Sequence, residues 1–473
     1  MRRLASVLLA NLLLAQIPMS WAHEHQAENP PSPTAVEHIE LTLPKGLLSG
    51  FPVVSQSVSM EEAVQLGLKN NLNIQVATAE TEVRRAILLQ AQAKGWPILG
   101  IGSNTFIHSK NNQTLMTPEM MMTTGSSTLF EDLNASAKMP LFTGGRIRAG
   151  IRASHFSLEG AQAGSRQSAV EAAYQIRQAY LQALLSHAEH LVHQQHITLQ
   201  QDLLKNAEAR YQVGRGLKAD VLRIHTALAD AQRMLNEEHS QLNNALFDLK
   251  AAMGVDLGSE VSLSDTLSYQ PWAGPQLPEL VQKALASHPQ IQEAQAAVKE
   301  AEAQIRVASA TYLPQVYGQV SGNLRFREDP SMMGNGAVGL ISASLPVFDR
   351  NRGAEIAQAQ AKFQKARQAL KARELDVSKQ LAQAWTELKF AAQNITLADA
   401  AIRQAQEDYR LISRRTAVGR SIQVEVQDAA LALQEAGLNR AKAIYTYELN
   451  KARLLAYLGA INESQVSILQ PGN

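Results

Sequence analysis

The chain has 473 residues, a formal net charge of +1 and no cysteine. The balanced charge argues against nucleic acid or a strongly acidic partner, and the missing cysteine excludes disulfides and a lipid carried on an N-terminal cysteine. Aromatic residues make up 5 % of the sequence and alanine is abundant, a composition suited to long helices rather than to thick sandwiches.

Arg2 and Arg3 precede an apolar run from Leu4 to Ile17, and Ser20-Trp21-Ala22 puts small residues at the two positions recognised for cleavage. This pattern predicts a secretory signal peptide over residues 1–22, cut after Ala22. No later stretch is apolar for ~20 residues, so no transmembrane helix is expected, although strands can enter an outer membrane with a much weaker signal. Residues 23–59 are polar and carry Pro30, Pro31, Pro33, Pro44 and Pro52. They read as an extended leader, with His23 and His25 solvated.

From Met60 the chain repeats itself. A shift of 217 positions matches Val64 with Val281, Leu68 with Leu285, Ile74 with Ile291 and Pro97 with Pro314. A shift of 205 matches Tyr180 with Trp385, Gly214 with Gly419 and Gly254 with Gly459. One duplication with changes in loop length explains both registers, giving a first repeat over 60–270 and a second over 271–473.

Proline placement sets the element boundaries. None occurs between Pro140 and Pro271 or between Pro346 and Pro471, so very long helices are allowed there. Gly145 to Gln212 would span roughly 100 Å as one helix. Val221, Ile224, Leu228, Ala231, Leu235, Leu242, Ala245 and Leu249 then follow in steps of three and four, with Glu238 in the gap. That stripe predicts an antiparallel coiled-coil hairpin over about 145–253, repeated over about 351–458. Shorter helices, Leu72 to Gly95 and Pro289 to Tyr312, precede them.

Ahead of each long helix the period changes from 3.6 to 2. Leu133, Ala135, Ala137 and Met139 fall on one strand face, with Asn134, Ser136 and Lys138 on the other. Ile341, Ala343, Leu345 and Val347 alternate with Ser342 and Ser344 in the second repeat. Leu99 to Ile107 and Val316 to Phe326 behave similarly, so β-hairpins are predicted over about 98–142 and 315–348. They enclose polar loops at Asn111 to Ser126 and Glu328 to Gly336. Strands of ~10 residues cross a bilayer when tilted. Four of them cannot close a barrel, because open edges leave backbone groups unpaired in lipid, so copies are expected to join edge to edge. The expected fold class is mainly α with transmembrane β, internally duplicated, with four membrane strands per protomer.

The stretch Tyr211-Gln-Val-Gly-Arg-Gly-Leu-Lys-Ala-Asp220 lies at the turn of the first hairpin, and Thr416-Ala-Val-Gly-Arg-Ser-Ile-Gln-Val-Glu425 lies at the turn of the second. With Pro97, Pro314, Pro140-Leu-Phe-Thr-Gly-Gly145 and Pro346-Val-Phe-Asp-Arg-Asn351, these doubled tips resemble the TolC family of outer membrane efflux channels over about residues 60–460. The resemblance implies a homotrimer with a twelve-stranded barrel in outer membrane lipid and a long helical tunnel in the periplasm. It implies a passive exit duct, in a tripartite efflux or type I secretion system, that works with a periplasmic membrane-fusion adaptor and an inner membrane pump of RND or ABC type.

The resemblance assigns adaptor docking to Val213, Gly214, Arg215, Val418, Gly419 and Arg420. It assigns the periplasmic constriction to Glu425 and Asp428, with Asp220 at the matching first-repeat position in the tip hydrogen-bond network. Three copies would stack carboxylate rings, which favour cations. The family's gating arginine two residues after the second tip glycine is Ser421 here, with Arg420 as the candidate substitute. His187, His190, His193 and His196 recur every three residues and are weak metal candidates, since each step rotates ~60° around a helix. No metal or cofactor is expected otherwise, and no phosphate loop, HExxH or nucleophile elbow marks an enzyme. The competing readings are a soluble periplasmic coiled-coil scaffold and a heavy-metal efflux specialist using the histidines.

Overall fold

The computed structural model describes residues 50–109, 127–327, 336–418 and 420–462, together with Pro44 and Gly46. The expected signal peptide, His23, His25, nearly all of the two polar loops and the tip residue Gly419 lie outside the described residues.

The first repeat runs β1 (Ser55–Val58), α1 (Met60–Asn70), α2 (Leu72–Ala93), β2 (Ile98–Ser109), β3 (Ser127–Phe142), α3 (Arg146–Gln212), α4 (Lys218–Met253) and β4 (Glu260–Leu263). The second runs α5 (Leu277–Ser287), α6 (Pro289–Ser309), β5 (Gln315–Arg327), β6 (Gly336–Ser344), α7 (Arg350–Ala417) and α8 (Gln423–Tyr457). α3 and α7 have 67 and 68 residues, each roughly 100 Å long at ~1.5 Å per residue. Helices of this length hold because their apolar stripes are partnered along their course. α2 and α4 both pack along α3, and α6 and α8 both pack along α7. α6 and α8 also lie on α3, which joins the two repeats. Many buried positions of α3 are alanines, among them Ala149, Ala153, Ala163, Ala173 and Ala183, and these small side chains let neighbouring helices approach closely.

Two apolar cores interrupt the helices at equivalent places. Tyr180 sits in one, with Val58, Val64, Ile176, Leu249 and Met253. Its repeat mate Trp385 sits in the other, with Leu280, Ile291, Leu381, Tyr447 and Leu454. At the end of the first hairpin Gly254 takes φ 66°, and an added Cβ there would lie 2.9 Å from the Asn70 carbonyl oxygen. The glycine therefore both reverses the chain and lets α1 dock against the hairpin.

The expected leader over 23–59 needs correction at its C-terminal end. Residues Ser55–Val58 form β1, paired in parallel with β4 from Ser55↔Glu260 to Val58↔Leu263, and Val58 is fully buried. Earlier, Gly46 N–H donates to Asp256 Oδ1 at 3.1 Å and Asp256 N–H donates to the Pro52 carbonyl at 3.1 Å. A four-residue strand has too few alternations to show a period, and its partner lies about 205 positions away.

The larger sheet has the order β2-β3-β5-β6, antiparallel throughout. Register places Leu99, Ala137, Val320 and Gly339 in one row, and Ile101, Ala135, Gly322 and Ala337 in the next. The face carrying these rows is uncovered: Leu99 is 79 % exposed, Ile101 84 % and Ile341 74 %. The opposite face carries Asn134, Ser136, Lys138, Gln319, Ser321 and Asn323, matched by register. β6 stops at Ser344, so Leu345 and Val347 lie past the strand expected to contain them. Val338 and Leu340 stand opposite Ser321 and Gln319, which makes β6 apolar on both faces.

The Tyr180 hydroxyl donates to the Val58 carbonyl at 2.9 Å and lies 3.0 Å from Asp265 Oδ2, which also accepts from Met60 N–H at 2.8 Å. Burial and the Asp265 charge hold the phenol well above its usual range, so it remains a donor. Tyr180→Phe should lower stability by about 1–3 kcal/mol, because the carbonyl and carboxylate lose a buried donor. The check is denaturant unfolding followed by circular dichroism, with native helix content retained; an unmoved midpoint would remove this contact from the core's energetics.

Candidate functional site at the hairpin tips

α3 ends at Gln212 and the chain reverses through Val213, Gly214 and Arg215. Gly214 has φ 72°, the left-handed region that glycine adopts without strain. Arg215 N–H donates to the Arg210 carbonyl at 2.8 Å and Gly214 N–H donates to the Tyr211 carbonyl at 2.9 Å. This pair of bonds is a Schellman closure. At the second tip Arg420 N–H donates to the Arg415 carbonyl at 2.9 Å, the equivalent bond five residues back. The two tips are thus built alike in backbone as well as in sequence.

Each tip presents the same surface. Val213 and Leu217 are 68 % exposed, and Val418 and Ile422 are 69 % and 63 % exposed. Arg215 and Arg420 are exposed beside them. An apolar pair with an adjacent guanidinium, given twice, is a surface on which aliphatic side chains and carboxylates of a partner can both be satisfied.

The acidic residues occupy the returning helices. Asp220 lies in the first turn of α4 and Glu425 in the first turn of α8, where a carboxylate faces the positive end of the helix dipole. The Ser421 hydroxyl donates to Glu425 Oε2. Asp428 follows one turn later on the same helix face, and both Glu425 and Asp428 are exposed. Among the described residues, Asp220 makes no side-chain hydrogen bond and Arg420 makes no ion pair with Glu425 or Asp428. Ser421 thus engages Glu425 directly, and Arg420 stands apart.

A contact between the hairpins escaped the sequence reading. Arg210 Nη2 donates to the Thr416 carbonyl at 2.7 Å, linking the last turn of α3 to the last turn of α7. Thr416 is buried, and Leu203, Ala207, Ile224 and Val426 pack nearby with Tyr409 and Ile412. The available signal was the repeat itself: Arg210 and Arg415 each stand four residues before a tip glycine. Only the spatial arrangement shows that the first of them reaches across.

The histidine ladder spreads around α3. His187 is exposed, and His190 lies beside His239 with ring centroids 6.0 Å apart and planes tilted by 50°. His193 Nδ1 meets Gln434 Nε2 at 3.1 Å, while His196 Nε2 meets Gln200 Nε2 at 3.2 Å. No group of three metal-capable side chains converges among the described residues.

Doubled helical hairpins thus carry a small sheet with an uncovered apolar face. The family model described as outer membrane efflux protein matches residues 63–255 and 280–460. The chain belongs to this family, an outer membrane efflux channel located in the outer membrane. It is similar in fold to the Campylobacter jejuni outer membrane channel CmeC, with a TM-score of 0.75 and 14 % identity over 88 % of this chain and 90 % of that one. It is also similar to the open state of the Neisseria gonorrhoeae channel MtrE, with a TM-score of 0.70 and 17 % identity over 92 % and 97 % of the two chains. CusC aligns with a TM-score of 0.74 and 16 % identity over 85 % of this chain and 92 % of its own. No curated protein matches the sequence.

Replacing Arg210 by Met should loosen the α3–α7 contact while leaving both helices intact. A charge-assisted bond is worth about 1.5–3 kcal/mol, so amide protection over residues 412–418 should fall about tenfold or more. Hydrogen exchange followed by mass spectrometry measures this, and protection equal to the parent protein would show that packing alone holds the tips together.

Proposed function

We propose that the chain forms a homotrimeric exit duct in which three four-stranded sheets make a twelve-stranded barrel and six hairpins make a periplasmic tunnel. The carrying observation is the sheet, whose apolar face is uncovered and whose outer strands, β2 and β6, have a second edge unpaired within the described residues. In lipid an unpaired strand edge costs several kcal/mol per group, so closure has to come from other copies. Eight strands is the smallest transmembrane barrel, and three copies supply twelve with room for a water-filled bore. Asn134, Ser136, Gln319 and Ser321 would face that bore, and Leu99, Ile101 and Ile341 would face hydrocarbon.

The duct is passive and receives its cargo from an inner membrane pump through a periplasmic adaptor. The adaptor docks on Val213, Gly214 and Arg215 and on Val418, Gly419 and Arg420, where the exposed apolar pairs and arginines support such a contact. The pump selects the cargo, in an efflux or a type I secretion assembly. A soluble scaffold does not fit a sheet with this uncovered apolar face, nor the family. The histidines that would serve a metal specialist point to separate partners along α3.

Glu425 and Asp428 form stacked carboxylate rings at the periplasmic mouth in this arrangement, with Asp220 beside them. Replacing both by Gln and Asn should reduce cation over anion selectivity several-fold in planar bilayers, without loss of the trimer. Reversal potentials in a salt gradient measure it. An unchanged reversal potential would remove these residues from the constriction, and the absence of any conductance in the parent protein would overturn the duct.

A further inference from the structure

Glu238 occupies the gap in the apolar stripe of α4, yet it is 5 % exposed. Its Oε1 has no hydrogen-bond partner. Glu189, on α3, is also buried, at 8 % exposure, and its Oε1 lies 3.6 Å from Nζ of Lys442 on α8. α3 packs against both α4 and α8, so the three residues meet where the first-repeat hairpin touches the second. We propose that Glu189, Glu238 and Lys442 form a proton-dependent clasp that holds the α3–α4 hairpin against α8 in acid and slackens as the surroundings turn alkaline.

The charge count makes the argument. One lysine, itself exposed, faces two buried carboxyl groups. When both ionise, the site carries a net negative charge and α3 and α4 repel each other across their seam. When Glu238 takes a proton, Lys442 and Glu189 remain as a matched pair and the neutral Glu238 fits an apolar stripe. Burial, assisted by the Glu189 charge, pushes Glu238 up to about 7, while Lys442 and the hydroxyl of Ser186 oppose that rise. Burial likewise raises Glu189, against the pull of Lys442. The other titratable groups facing the site come from α3 and α4. His193 is held below its usual value by burial and by Lys442. The His190 ring lies tilted against that of His239. A carboxyl group raised on folding contributes stability that is complete below the ordinary carboxylate range and lost once pH has risen through about 7. The clasp therefore works between mildly acid and neutral conditions.

The test is hydrogen exchange on the full-length protein in detergent, corrected for the intrinsic pH dependence of exchange. Protection of residues 183–195 and 232–245 should fall about tenfold between about pH 5.5 and about pH 8, since one unit of pKa difference is a factor of ten. Glu238→Gln should abolish that fall. Lys442→Met removes the stabilising cation and should move the transition up by about one pH unit, whereas Glu189→Gln removes the repelling charge and should move it down by a similar amount. The opposite signs separate titration from simple loss of packing. A parent protein and a Glu238→Gln variant with the same pH profile would overturn the clasp, as would Lys442→Met and Glu189→Gln shifts in one direction.

Discussion

The constraint on which the rest depends is the hydrogen-bonding demand of a sheet edge in hydrocarbon. Water satisfies the free N–H and C=O groups of an ordinary edge strand, but lipid offers nothing in exchange. β3 and β5 pair with each other and with one neighbour each, so the centre of the sheet is complete within one chain. Among the described residues, β2 and β6 each have one strand partner only. An apolar face with Leu99 and Ile101 exposed cannot remain in water, and an open edge cannot remain in lipid. The proposed closure across subunits would satisfy both demands at once.

The proposed closure would constrain much of the architecture below it. In the proposed ring, the sheets would fix the lateral spacing of the helices that leave them, because Phe142 and Ser344 lead within a few residues to α3 and α7. The helices then stay long because proline is absent and because each packs against two shorter ones of its own repeat. The cores around Tyr180 and Trp385 clamp those shorter helices where they meet end to end. The tips need no large core of their own: a Schellman closure, a small apolar cluster and the Arg210 contact to the Thr416 carbonyl suffice.

The parts legible in the sequence share one property: they are local or repeated. The proline-free runs, the left-handed tip glycine Gly214 and the alternation in Leu133 to Met139 can each be read within a few turns of chain. Duplication then doubles every weak signal. The features that stayed hidden are pairings between distant positions. β1 is four residues with one apolar side chain, and its partner β4 lies in the loop after the first hairpin. Arg210 looks like any surface arginine near a helix end until α7 is placed beside it. Glu238 was visible as a break in a stripe, but its neighbour Glu189 faces it from another helix and Lys442 from another repeat. Strand ends were misjudged for a related reason: Leu345 and Val347 continue the alternation, but Pro346 lacks the N–H that would extend the β6 ladder.

The absence of native cysteine gives a clean background for the decisive measurement. Single cysteines placed along residues 98–104 of β2, combined with single cysteines along residues 337–343 of β6, report whether these two edges meet in the membrane. The account predicts disulfides between different chains at matched positions, giving on denaturing gels a ladder that ends at three linked subunits. Disulfides confined to one chain, or a ladder that stops at two or runs past three, would contradict it.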